Sequence, residues 1–168
     1  TFACVLTAGG VYTTVENDNF FRVTADAQTK TLDEVSFTMD KGAAVRKDDP
    51  TGLRFRSLLS VADYNALEAN VATYNSISYG MLIAPTDYLV EYGALNAENV
   101  FGENAIYGWK EDEATYGGAV QIINVSRSQM TDYIDTNGTS WMNFMGVIYN
   151  LQGANYHREF IGVGYIQA

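Results

Sequence analysis

The chain has little of what catalytic and metal sites are usually built from. Its single cysteine, Cys4, cannot form an internal disulfide or a cysteine-based metal cluster. Its single histidine, His157, excludes a histidine-rich metal site. A Ser–His–Asp or Cys–His system would have to use His157, which lies in an NYHREF motif at the opposite end of the chain from Cys4. We therefore predict no catalytic residues and no enzyme activity.

Acidic residues are plentiful, so paired carboxylates of the glycosidase type stay open at this point. Such an enzyme needs one acid with a raised pKa, held in an apolar cleft. Glu159, between Arg158 and Phe160, is the one acid in a strongly apolar strand. An ion pair between Glu159 and an arginine is the simpler interpretation.

Positive charge is also scarce, with 10 Lys and Arg against 20 Asp and Glu and a net charge of −10. Such a chain repels phosphate backbones and anionic membrane surfaces, so we predict no nucleic-acid partner. No apolar run is long enough to span a bilayer. Asp48 with Asp49, and Asp132 with Asp135, are candidate Ca²⁺ ligands, although no EF-hand spacing exists. We predict no other cofactor.

Short alternating apolar stretches between turn residues dominate the sequence and predict β-strands. The stretch LRFRSLL places Leu53 and Phe55 on one side and Arg54 and Arg56 on the other. Two longer stretches, residues 141–151 and 158–166, are apolar on both faces and predict central strands that are covered on both sides. The glycines of GVGY in the second stretch indicate the close approach of another part of the chain.

One helix is predicted near residues 60–75. Ser60 is a suitable N-cap with Asp63 three residues later, and apolar residues recur at helical spacing. The stretch TDYLVEYGALNAENVFG predicts at most one short helical turn. Together the pattern predicts a mainly β protein: an antiparallel β-sandwich, Ig-like or jelly-roll-like, with one packed α-helix. We place an N-terminal β arm, or lead-in strands, at residues 1–40 and the sandwich module at residues 41–168.

The segment TFACVLTAGGVYTTVEN, residues 1–17, has two interpretations. Its short apolar stretch passing into small residues is typical of the end of a signal peptide. Its valines among threonines equally predict a retained β-strand that needs a partner strand.

Several motifs occur together in order: GAAVRKDDPTGLRFRS, then ADYNAL on the helix, then YGMLIAPTDYL, then NYHREFIGVGYI. In this order they resemble a module of large exported proteins from gut and rumen Clostridia, over Lys41 to Ile166. The resemblance implies an extracellular, multimodular setting, often beside Ig-like or carbohydrate-active modules, and implies no catalytic residues. It leaves Arg54, Arg158 and Glu159 as parts of a partly buried polar network.

Aromatic side chains are the best candidates for a binding site, since flat rings stack on the C–H faces of sugars and neighbouring acids hydrogen-bond hydroxyls. The loop YGWKEDEATYGG carries both types, and an ordinary solvated loop is the alternative interpretation. Trp141 either caps the core or forms a platform at the sheet edge. The predicted ligand-binding residues are Tyr107, Trp109, Glu111, Asp112, Tyr116 and Trp141.

Two functions follow. The first is a non-catalytic extracellular module that binds a polysaccharide, that is, a host or plant glycan. The second is a structural or adhesive subunit of a bacterial surface fibre, in which the N-terminal segment exchanges a strand with copies of itself.

Overall fold

Strands make up most of the regular structure in the computed structural model, which describes residues 5–9 (backbone only), 35–69, 77–102 and 120–167. The helices are α1 (Val61–Ala69), α2 (Asp87–Tyr92) and α3 (Ala97–Phe101). Single 3-10 turns occur at Arg127–Gln129 and Gly153–Asn155. The strands are β1 (Val5–Gly9), β2 (Phe37–Met39), β3 (Ala44–Arg46), β4 (Gly52–Ser60), β5 (Ser78–Pro85), β6 (Gln121–Val125), β7 (Thr131–Ile134), β8 (Ser140–Tyr149) and β9 (Phe160–Gln167).

The strands form two antiparallel sheets. The four-stranded sheet has the order β1-β9-β5-β6, and the five-stranded sheet has the order β2-β4-β8-β7. β3 also pairs with β4: β2 lies opposite residues 57–59 and β3 opposite residues 52–54, so the two short strands share one edge of β4. The predicted mainly β, antiparallel sandwich is confirmed.

The core between the sheets follows from the alternation of β4 and β5. Leu53, Phe55 and Leu59 of β4 point inward and are buried, as are Tyr79 and Met81 of β5. Because side chains alternate along a strand, Arg54 and Arg56 point outward, as the sequence predicted.

Glycines allow the two sheets to approach closely. A Cβ atom on Gly162 of β9 would lie 2.3 Å from Cγ of Phe55, and one on Gly146 of β8 would lie 2.5 Å from Cβ of Met81. Gly164 would meet Ser57 Oγ at 2.2 Å in the same way. The close approach that the GVGY glycines indicated is thus confirmed.

A second apolar cluster covers the outer face of the four-stranded sheet. Val163 and Tyr165 of β9 pack there against Tyr92 of α2 and Val100 near the end of α3. β9 is therefore covered on both sides, as predicted. The same prediction holds for β8 only near its centre: on the outer face Asn143 is buried, whereas Trp141 is half-buried and Tyr149 is exposed. Among the described residues, α2 and α3 pack on the other sheet and leave this face partly open.

Helix α1 begins as the sequence predicted. Ser60 Oγ accepts a hydrogen bond from the Asp63 backbone N–H at 3.2 Å. The buried Asp63 carboxylate accepts another from the Ser36 backbone N–H at 2.8 Å, which fixes the helix start to the segment before β2. The helix is described to Ala69, and residues 70–76 of the predicted span lie outside the described part.

The region after Pro85 contains more helix than the sequence predicted. The stretch after Pro85 forms two short helices, α2 and α3, where one turn was predicted; Asn96 Oδ1 caps α3 by accepting from the Asn99 N–H at 2.9 Å.

The division of the chain into an N-terminal part and a sandwich module at residue 40 stays a prediction. On its N-terminal side, β1 pairs with β9 and β2 pairs with β4.

We expect Gly162→Ala to lower the free energy of unfolding by about 1–3 kcal/mol, because the added methyl group meets the inner atoms of the Phe55 side chain. Urea unfolding measures the change. Gly153→Ala is the control, since nothing lies within 4 Å of a Cβ atom there. Equal stability of the two variants would contradict the close sheet contact.

Candidate functional site

The structure tests the placement of one of the six predicted site residues. Tyr107, Trp109, Glu111, Asp112 and Tyr116 lie outside the described residues, and their roles stay predictions. Trp141 lies on β8, where its register partners are Ser60 on β4 and Tyr133 on β7.

Trp141 belongs to the outer face of the five-stranded sheet. Phe144 and Gly146 of β8 face the sandwich core, so odd-numbered residues of β8 point away from it. The continuous pairing of β8 with β4 and β7 puts their outward residues on the same surface. We call this surface the open face; its outward side chains include Arg46, Arg54, Arg56, Tyr133, Trp141 and Tyr149.

The Trp141 ring is held by the turn that precedes its strand. Its Nε1–H donates to Asp135 Oδ2 at 3.1 Å. Asp135 Oδ1 accepts from the backbone N–H groups of Asn137 at 2.8 Å and Thr139 at 2.9 Å. The structure therefore places Trp141 at the surface, outside the apolar core clusters, and one carboxylate fixes both the turn and the indole.

Tyr133 packs against the guanidinium of Arg56. The guanidinium of Arg56 lies 4.8 Å from the centre of the Tyr133 ring, a cation–π distance. Arg56 also forms an ion pair with Asp40, from Nη1 to Oδ2, at 3.3 Å. These contacts fix Tyr133 and Arg56 relative to each other on the open face.

The buried part of the open face combines an apolar and a polar side chain, since Leu58 of β4 is 6% exposed and lies opposite Asn143 of β8. Asn143 is 4% exposed, and its Nδ2 donates to the carbonyl oxygen of Thr131 at 2.7 Å and to its hydroxyl at 2.9 Å. Its Oδ1 has no hydrogen-bond partner among the described residues.

A separate cavity of about 340 Å³ opens at one edge of the sandwich, where three of the four sequence motifs meet. Val45, Phe55 and Phe160 supply apolar walls, and Thr86 and Glu159 add polar groups. Its size reaches the lower limit for small-molecule pockets.

Arg158 closes one side of this cavity and has structural partners. Its Nη2 pairs with Asp87 Oδ2 at 2.6 Å, and its guanidinium lies 5.0 Å from the centre of the Tyr88 ring. This hydrogen bond with Asp87 raises the pKa of Arg158. The predicted arginine pair of Glu159 is therefore not with Arg158, and Glu159 is exposed without an ion pair in the described part of the chain. Arg54 is likewise exposed, so the predicted polar network is not partly buried there.

The candidate calcium ligands lie in different environments. Both oxygens of Asp135 are engaged by its own turn and by Trp141, while Asp48 and Asp49 lie exposed after β3. Within the described ranges, no group of three or more His, Cys, Asp or Glu residues is placed to hold a metal. Calcium binding stays a prediction. None of the described helices is long and apolar enough to cross a membrane.

No protein-family model matches the chain, and comparisons with curated proteins and with solved structures found no match either. The resemblance carried by the motifs is therefore neither supported nor contradicted, and the function has to be inferred from the surfaces described above.

We expect Asp135→Ala to release the turn and the Trp141 ring. Hydrogen bonds from the Thr139 backbone and the Trp141 indole lower the pKa of Asp135 below its ordinary value of 3.8. A lowered pKa stabilises the fold above the unfolded-state value, and this contribution is lost as the pH falls through the folded-state pKa. Asp135→Ala should therefore unfold at a lower temperature than the wild type at neutral pH, and the difference should shrink in acid.

Thermal unfolding across pH measures this difference, and fluorescence in a Trp109→Phe background reports the exposure of Trp141. Asp132→Ala removes an exposed carboxylate from the adjacent strand and is the control. A constant difference between Asp135→Ala and wild type at all pH values would contradict the assignment.

Proposed function

We propose that this chain is a non-catalytic, extracellular binding module that takes a polysaccharide on its open face. The observation that carries the proposal is the common surface shared by Tyr133, Trp141 and Tyr149. Trp141 and Tyr149 are eight residues apart on one strand, which at roughly 3.4 Å per residue spans about 27 Å. That length suits an extended chain of sugars.

The chemistry of the open face supports a sugar ligand. Aromatic rings offer flat apolar faces for the C–H groups of a sugar, and arginine and carboxylate groups beside them hydrogen-bond its hydroxyls. Trp141 is fixed by Asp135, and Tyr133 by Arg56, before any ligand arrives. Fixed rings lose little conformational freedom on binding, which favours affinity.

Two features of the sequence also support a sugar ligand at the cell surface. The loop containing Tyr107, Trp109 and Tyr116 would add aromatic surface and is part of the proposal. The motif resemblance supports an exported, multimodular setting at the cell surface. Neither feature requires a cofactor.

We expect Trp141→Ala and Tyr149→Ala to weaken binding about tenfold, since a lost aromatic contact is worth about 1–1.5 kcal/mol. The measurement is affinity electrophoresis against a panel of plant and host polysaccharides. Tyr156→Ala is the matched control, because Tyr156 is 59% exposed and Tyr149 67%, but Tyr156 lies outside the open face. Trp109→Ala tests the predicted loop in the same gels.

The outcomes separate the two surfaces. Retardation that is lost in Trp141→Ala or Tyr149→Ala, and kept in Tyr156→Ala, supports the open face. Loss in Trp109→Ala alone would move the site to the loop. No retardation of the wild type by any polymer would overturn the proposal.

A second function, strand exchange between copies in a surface fibre, is favoured by the position of β1. This strand lies at an edge of the four-stranded sheet and pairs with β9 over five residues, from Val5 opposite Gln167 to Gly9 opposite Val163. The same strand of a second copy presents the same backbone groups, so it can replace β1 without new chemistry.

We expect deletion of residues 1–17 to abolish self-association if strand exchange operates, because the acceptor edge of β9 then has no strand to receive. Sedimentation velocity measures the oligomeric state. A synthetic peptide of residues 1–17, added to the deletion variant, should bind and restore thermal stability. A wild-type chain that stays monomeric at high concentration would contradict strand exchange.

A further inference from the structure

Arg54 is the one arginine without a partner in the described part of the chain. The exposed guanidinium of Arg54 has no hydrogen bond or ion pair there. The other described arginines are all engaged: Arg46 with the carbonyl oxygen of Asp49, Arg56 with Asp40, Arg127 with Glu68, and Arg158 with Asp87.

Arg54 lies near Tyr149, the most exposed of the three outward aromatic side chains of the open face. Its register partners are Ala44 on β3 and Val147 on β8, which have no charge to offer. Tyr149 on β8 is its diagonal neighbour, at roughly 7–8 Å by strand geometry. Gly52 of β4 lies opposite Tyr149 and has no side chain. No side chain of β4 therefore separates the Tyr149 ring from strand β3.

Positive charge is concentrated on this part of the surface. Arg46, Arg54 and Arg56 all point outward from β3 and β4, in a chain with a net charge of −10. Asp40 is already paired with Arg56, and Arg46 is followed by the exposed Asp48 and Asp49. Arg54 is therefore the cation best placed to receive an external anion.

We propose that the polysaccharide bound by the open face is anionic, a polymer carrying carboxylates, and that Arg54 binds one of them. This inference rests on the proposed function. The planar guanidinium matches a carboxylate through two parallel hydrogen bonds, whereas a neutral sugar leaves its charge without a counterpart. Salt at physiological strength screens charges beyond about 8 Å, so the arginines in contact outweigh the distant acids of the chain.

The test compares two polymers that share a backbone: polygalacturonate, and the same polymer with its carboxyl groups methyl-esterified. Affinity electrophoresis is run at fixed ionic strength with wild type, Arg54→Gln and Arg54→Lys. Val90→Glu is the control, because it changes the net charge by the same amount at a site that is 92% exposed, on helix α2 of the other sheet. Dextran sulfate is included as an anion without carboxylates.

We expect polygalacturonate to retard the wild type and its methyl ester to retard it much less. Arg54→Gln should bind polygalacturonate about ten- to a hundredfold more weakly, with Arg54→Lys intermediate and Val90→Glu unchanged. Arg54→Gln should unfold at the wild-type temperature, because the side chain is exposed and has no described partner.

Three results would overturn the inference. Equal binding of the esterified polymer would show a neutral ligand and leave the proposed function intact. Retardation by dextran sulfate in preference to polygalacturonate, or an unchanged affinity of Arg54→Gln, would exclude a carboxylate bound by Arg54. No retardation by any polysaccharide would instead overturn the proposed function itself.

Discussion

The rest of the structure depends on the close contact of the two sheets at their glycines. Gly162 and Gly146 leave room for the side chains of Phe55 and Met81, and a methyl group at either glycine would overlap them. Interiors packed this tightly admit one register, because a slip of one residue would turn every inward side chain outward. The same register decides that Arg54, Trp141 and Tyr149 reach the solvent side.

The described helices are distributed unequally between the sheets, and this makes the two outer faces different. α2 and α3 cover the four-stranded sheet with an apolar cluster that includes Val163 and Tyr165. The open face of the other sheet is instead held by polar contacts: an indole on a carboxylate and a tyrosine under a guanidinium. A surface whose aromatic groups are fixed by polar partners remains ordered in water without a second layer.

Local features of the sequence predicted most of the local structure. The alternation of LRFRSLL gave the directions of Arg54 and Phe55, and Ser60 with Asp63 gave the start of α1, since both depend on neighbours along the chain. The coverage of β8 could not be predicted, because apolar residues do not reveal on which sheet a helix packs. The partner of Arg158 could not be predicted either, because Asp87 lies 71 positions away in the sequence. The pairing of β5 with β9 brings the two side chains together.

The sequence likewise predicted one part of the candidate site and not the rest. Trp141 was found as a tryptophan next to a turn, but its face followed from the register with Ser60 and Tyr133. No local signal pointed to Tyr133 or Tyr149, because each reads as an ordinary strand tyrosine. The lack of a partner at Arg54, in contrast to the other described arginines, could not be predicted either, because the partners of Arg127 and Arg158 lie on distant elements.

The divided edge of β4 has a consequence for how copies of this protein meet. β2 and β3 cover that edge in two pieces of three residues each, with Lys41 in the turn between them, and β7 at the opposite edge has four residues. Short, interrupted and charged edges give a foreign strand little continuous backbone to pair with, so this sheet resists edge-to-edge aggregation. Crowded side by side, molecules with such edges remain separate along the five-stranded sheet and keep its aromatic surface accessible.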